Sequence, residues 1–118
     1  NSYDNSTIFT DKILAGLAQI LDDEDGLSSV VLYLSDHGQS LGENGRYMHG
    51  ASPEEAPIEQ LEIPFLIWMS DAFKKSRDTS GVATKPVPAQ DATFHSILGA
   101  LNVVGGPYLS ERDIFHVE

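Results

Sequence analysis

Two runs of five residues, VVLYL from Val30 to Leu34 and FLIWM from Phe65 to Met69, are apolar or aromatic at every position. A strand with one face in water alternates polar and apolar side chains, whereas a strand covered on both faces is apolar throughout and rich in branched residues. The two runs therefore predict buried strands of an α/β sheet with helices packed on it, the first of them a central parallel strand. Pro64 cannot donate a ladder hydrogen bond, which places it at the start of the second strand rather than inside it.

The flanking segments carry helical periodicity. Ile8, Phe9, Ile13, Leu14, Leu17, Ile20 and Leu21 recur at three- and four-residue intervals, so that Tyr3 to Leu21 reads as an amphipathic helix. DDEDG ends it, because Gly26 tolerates the left-handed conformation common after helix C-termini. Beyond the second strand, DAFKKSRDTSG (71–81) reads as a short helical turn decaying into a loop, and TKPVPAQD (84–91) as extended. Asp91 is placed to cap a helix ATFHSILGALNV (92–103) whose Phe94, Ile97, Leu98 and Leu101 share a face. The tail GGPYLSERDIFHVE has no clear period. Helix, strand, long loop, strand, helix is the alternation of an α/β sheet.

Charge and composition narrow the function. Eighteen acidic residues against seven basic give a formal charge of −11, which argues against nucleic acid as a partner, since phosphate binding needs clustered Lys and Arg. The acidic runs at 22–25 and 52–62 read as solvated loops or helix ends. With no cysteine, thiolate metal sites and cysteine nucleophiles are excluded, and any metal must be held by His, Asp, Glu or hydroxyl groups. No apolar run approaches the roughly 18 residues that span a bilayer. The chain opens on Asn1 without a basic and apolar leader, and the expectation is that sequence lies upstream.

The first strand runs directly into SDHGQSLGENGRYMHG (35–50). Functional groups of open α/β sheets collect just beyond strand carboxyl ends, which is where Asp36, His37 and Gly38 fall. A carboxylate and an imidazole suit a divalent ion such as zinc. Gly42, Gly45 and Gly50 allow the loop to fold back and bring His49 over the same place. The competing reading of Asp36 and His37 is a cap and a surface histidine. Glu43 and Tyr47 either orient ligands or are simply loop polarity, His95 reads as a structural histidine of the second helix, and His116 as a surface residue.

The whole string YLSDHGQSLGENGRYMHG followed by APIEQLEIPFLIWMSD resembles the phosphoethanolamine transferases that modify lipid A, the group containing the mobile colistin-resistance enzymes, within the alkaline phosphatase and sulfatase superfamily. YDNSTIFTDKIL resembles the helix before the metal strand of that group, and DATFHSILGALNV with RDIF its closing helix and tail. The resemblance implies a partial alkaline phosphatase-like sheet with flanking helices, spanning residues 1–118 as the C-terminal portion of a catalytic domain. It implies zinc held by Asp36 and His37, with His49 binding or protonating near the substrate phosphate or serving a second zinc. The implied reaction moves phosphoethanolamine from phosphatidylethanolamine to lipid A through a phosphothreonine-type intermediate, at the periplasmic face of the bacterial inner membrane, with a membrane domain preceding the catalytic one.

The departures are specific. Family members carry Glu after the Asp-His-Gly, where this chain has Gln39, which leaves only hydrogen bonding there. The nucleophilic threonine and an upstream glutamate ligand have no counterpart here: Thr7 and Thr10 lie in the wrong helix, and Thr93 reads as a helix-start residue. An isolated chain of this kind is expected to be inactive, to bind zinc weakly and to self-associate through exposed sheet surface. The rival readings are another sulfatase or phosphodiesterase of the superfamily and a noncatalytic α/β fragment.

Overall fold

The computed structural model describes residues 2–82 and 89–117. In chain order the elements are α1 (Ser2–Asp22), β1 (Val30–Leu34), β2 (Ser40–Leu41), β3 (Tyr47–Met48), α2 (Ile58–Leu61), β4 (Phe65–Met69), α3 (Asp71–Ser76) and α4 (Ala92–Ala100), with single 3-10 turns at Glu43–Gly45 and Ser110–Arg112. The extended reading of 84–91 falls largely outside the described residues. The chain divides into two units, Asn1–Val30 with Met69–Glu118, and Val31–Trp68.

In the second unit, β1 and β4 hydrogen-bond to each other, and β2 pairs antiparallel with β3, Ser40 opposite Met48 and Leu41 opposite Tyr47. Both long strands fall where their apolar runs predict. Their burial does not reach the expected level: all five positions of β1 are half-buried, and Leu66 in β4 is exposed. Among the described residues this sheet has two strands, so neither is seen flanked on both sides as a central strand would be. The β2–β3 pair is an addition, since a segment read as loop supplies it.

The first unit contains α1, α3, α4 and the tail. The period of α1 is as expected, but none of its residues is buried, and Phe9 of the apolar stripe is 66% exposed. Gly26 takes the left-handed conformation past the helix end, with φ 79°. At the entry to α3, Ser70 joins three segments: its hydroxyl accepts from Phe73 N (3.2 Å) and Ser29 N (3.0 Å) and donates to Leu27 O (3.1 Å). One serine thus caps the helix and ties the approach to β1 to the exit from β4.

The packed face of α4 is the reverse of the one expected. Ala92, His95, Ser96 and Gly99 are buried, while Phe94, Ile97 and Leu101 are exposed. The small face is what lets the tail dock. Ser96 Oγ donates to Ala92 O (2.8 Å) and accepts from Ile114 N (3.2 Å), and His95 Nδ1 accepts from Leu109 N (3.1 Å), which makes it the structural histidine its helical setting predicts. At Gly99, any Cβ would overlap the Asp113 carboxylate. That carboxylate in turn accepts from Tyr108 Oη (2.7 Å) and Phe115 N (2.8 Å). The aperiodic tail thereby delivers Ile114 and Phe115 to the small core, where Phe115 meets Phe73 edge to face with centroids 5.5 Å apart.

Two further residues differ from expectation or complete the packing. Asp91 stands at the N-terminus of α4 but is itself in helical conformation, makes no capping bond, and pairs with Arg112 instead. Arg77 closes the other end of α4, donating to Gly99 O and Ala100 O at 2.8 Å each, with its guanidinium 4.3 Å from the Phe73 ring centroid.

Candidate functional site

The site lies within the unit Val31–Trp68. β1 ends at Leu34, and the chain turns through Ser35, whose hydroxyl donates to His37 O at 2.8 Å. Gly38 then passes directly beneath the short helix α2: its N–H donates to Gln60 O (3.0 Å), and a Cβ at this position would lie 2.7 Å from Glu62 O and closer still to Glu59 O. No side chain fits there. The glycine is needed for this close approach of backbone to backbone, which fixes the strand end against α2. Two residues on, Ser40 is fully buried, and its hydroxyl accepts from Gln60 Nε2 at 2.9 Å.

From this anchor the loop turns back on itself. Gly42 (φ 127°), Asn44 (52°), Gly45 (73°), Met48 (68°) and Gly50 (102°) all hold positive φ. For Met48 this conformation costs on the order of 1–2 kcal/mol, and it sits immediately before His49. The Glu43 carboxylate stabilises the turn by accepting from Leu41 N (2.7 Å). Backbone N–H groups, its own first and then that of Leu41, hold this carboxyl below the ordinary range.

The consequence is a histidine pair. The rings of His37 and His49 stack with centroids 3.6 Å apart and planes 26° from parallel, and Asp36 Oδ1 lies 3.8 Å from His37 Nε2. Asp36, His37 and His49 therefore come together beyond the end of β1. Each imidazole is oriented from behind: His37 Nδ1 donates to Gly38 O (2.8 Å), and His49 Nδ1 donates to Gln39 Oε1 (2.9 Å). Both bonds place the proton on Nδ1 and the lone pair on Nε2, the form in which an imidazole ligates a metal or accepts a proton. The Asp36 side chain is 86% exposed and that of His37 41%, so neither is held there by core packing.

Gln39, expected to offer hydrogen bonding alone, does so by positioning His49. Three residues were not singled out from the sequence: Gln60, which joins α2 to buried Ser40; Met48, by its strained backbone; and Arg46, whose Nη1 donates to Glu55 O at 3.1 Å. Arg46 had a signal, being the sole Lys or Arg between Lys12 and Lys74. A cavity of about 670 Å³ beside His49 is lined by Arg46, Tyr47, Glu55 and Gln60 among others. Among the described residues, no group of three or more His, Asp or Glu side chains is arranged to hold a metal ion. Asp36 and His37 fit zinc chemically as two donors of a set that requires more. His95 and His116 belong to the other unit.

The site is thus a strand ending in Asp-His-Gly with a loop that returns a second histidine to it. The chain belongs to the sulfatase family, whose model matches residues 1–103. It is 38% identical over 99 residues to phosphoethanolamine transferase EptA of Helicobacter pylori, covering 84% of this chain and 18% of that protein. It is likewise 38% identical over 104 residues to phosphatidylethanolamine transferase Mcr-1 of Escherichia coli, covering 87% of this chain and 18% of the relative. Its fold superposes on the integral membrane protein lipooligosaccharide phosphoethanolamine transferase A of Neisseria meningitidis with a TM-score of 0.90 and 35% identity, over 98% of this chain and 23% of that one. The fold is thus part of the alkaline phosphatase-like domain of such proteins. The chain spans about a fifth of the length of the curated relatives it matches.

Proposed function

We propose that these 118 residues are the C-terminal portion of the catalytic domain of a zinc-dependent phosphoethanolamine transferase, which moves phosphoethanolamine from phosphatidylethanolamine to lipid A. The observation that carries this reading is the Asp36, His37 and His49 convergence beyond β1, on a chain whose relatives bear transferase names. Placement at the inner membrane with the catalytic domain in the periplasm is supported by the integral-membrane character of the Neisseria protein and by the likeness to the C-terminal periplasmic domain of phosphoethanolamine transferase EptC from Campylobacter jejuni. No helix among the described residues is long and apolar enough to cross a membrane, so attachment rests on another part of the full-length protein.

Asp36 and His37 would hold zinc, which when bound neutralises charge on the transferring phosphoryl oxygens and favours an ionised nucleophile. Gly38 O keeps the His37 Nδ1 proton in place and directs Nε2 outward. His49 faces the same space with its Nε2 lone pair, suited to accept a proton or a hydrogen bond beside the phosphate. The nucleophile and remaining ligands would come from outside this chain. The absence of a three-ligand group among the described residues supports inactivity and weak zinc binding of the isolated chain. The exposed stripe of α1 supports its self-association.

The test is Asp36→Ala in the full-length protein, with expression and fold monitored. Transfer to lipid A and polymyxin resistance are expected to disappear while the fold persists. Retained resistance at normal expression would reject the assignment, and turnover of sulfate esters in place of phosphoethanolamine transfer would move the protein to another branch of the family.

A further inference from the structure

Two of the residues lining the cavity beside His49 carry opposite charges, Arg46 and Glu55. In the unit Val31–Trp68 there are six Asp and Glu residues and a single arginine, Arg46. That arginine lines the cavity together with Tyr47, His49 and Glu55. Its Nη1 donates to Glu55 O at 3.1 Å, a bond that uses one of five guanidinium N–H groups and leaves the rest for a ligand. A guanidinium so held is ready to bind an oxyanion in bidentate fashion. The Glu55 carboxylate in the same lining disfavours a ligand that is only anionic. A ligand carrying both a phosphate and an ammonium group satisfies the two requirements at once.

We infer that Arg46 and Glu55 form a specificity subsite for a zwitterionic phosphoethanolamine group, Arg46 taking the phosphate oxygens and the Glu55 carboxylate the ammonium. In its Nδ1–H form, His49 presents an Nε2 lone pair that accepts from the same ammonium or from a protonated phosphate oxygen. The subsite deepens the transferase reading and rests on it. It names two residues outside the Asp36–His37 pair as determinants of which phosphodiester is taken.

The experiment has two arms. In the first, the full-length protein is titrated with O-phosphoethanolamine, inorganic phosphate and ethanolamine while the Arg46 and His49 side-chain NMR signals are followed. Phosphoethanolamine is expected to shift both signals at a concentration at least several-fold below that needed for phosphate. Equal response to phosphate, or no response, would overturn the subsite. In the second arm, the full-length enzyme carrying Arg46→Ala is expected to raise the KM for phosphatidylethanolamine by about ten- to hundredfold, the effect of losing charge-assisted hydrogen bonds, with Arg46→Lys intermediate. An unchanged KM in an enzyme that still transfers phosphoethanolamine would refute the subsite and leave the transferase reading intact. A wild-type enzyme without transfer would refute the reading itself.

Discussion

Replacing Gly38 by alanine adds one methyl group at the tightest backbone crossing of the site. The new Cβ would lie 2.7 Å from Glu62 O and nearer to Glu59 O, and both neighbours are main-chain atoms that no rotamer change can move. Relief requires α2 to withdraw from the loop, which removes the bond from Gly38 N to Gln60 O and strains the link from Gln60 to buried Ser40. Overpacking of this kind costs about 1–3 kcal/mol, and the lost backbone hydrogen bond about 1 kcal/mol. The expected destabilisation of Gly38→Ala is therefore about 2–4 kcal/mol, a fall in urea midpoint on the order of 1–2 M for a small domain. Gly16→Ala is the internal control: it stands within α1, a Cβ there meets nothing within 4 Å, and helix propensity predicts a gain of roughly 0.5–1 kcal/mol. Urea unfolding of both variants and the wild type, with the His37 and His49 ring signals recorded by NMR, checks the reasoning. Gly38→Ala with a wild-type midpoint and undisturbed ring signals would refute the claim that this glycine holds the strand end against α2.

Other perturbations separate structural from chemical roles. Ser70→Ala removes three hydrogen bonds at a buried position and is expected to lower stability by about 2–3 kcal/mol in denaturant titration. Tyr108 is pushed up to about 12, first by desolvation and then by its bond to the Asp113 carboxylate and nearby negative charge. The folded state thus favours the neutral phenol, and stability present below pH 10 drains away as pH rises through 12, by at most about 2–3 kcal/mol and less where water reaches the half-buried ring. Tyr108→Phe should flatten that alkaline decline in pH-dependent unfolding. For the chain alone, zinc calorimetry and light scattering should give binding orders of magnitude weaker than a three-ligand site, together with dimers or larger species; a monomer with one tightly bound zinc would overturn both expectations.

Much of the architecture was legible because local pattern and burial agree for strands and helices that run continuously. VVLYL and FLIWM form β1 and β4, and the periodicity of residues 3–21 forms α1. What was not legible depends on partners distant in sequence. The choice of buried face on α4 is one case: the apolar residues Phe94, Ile97 and Leu101 predict one face, and the opposite one is buried because Gly99, Ser96 and His95 fit the returning tail. Hydrophobic periodicity finds the stripe that wants cover, but it does not say whether the covering surface lies within the same stretch of chain. The stripe of α1, exposed at Ile8, Phe9, Ile13, Leu17 and Ile20, is the same failure in its plainest form.

The site divides along the same line. Asp36 and His37 could be placed from sequence because chemistry collects where a buried strand stops, and that rule needs only the strand. His49 needed the loop to reverse, and the glycines at 42, 45 and 50 signalled a capacity for reversal without fixing where it would lead. The destination is set by features invisible in a linear pattern. Gly38 is pinned under Glu59 and Glu62, Ser40 is buried against Gln60, and Met48 is held at positive φ so that the next residue swings back over His37. This answers why the chain follows an apolar strand with a dozen polar, glycine-punctuated residues. A strand end supplies rigid placement for two donors, and the returning loop adds a third group whose position is adjustable by evolution without altering the sheet. Gln39 shows the economy of that division: one residue beyond the pinned Gly38, it stands at the strand end and orients His49 through a single 2.9 Å hydrogen bond, so the loop half of the site is positioned from the strand half.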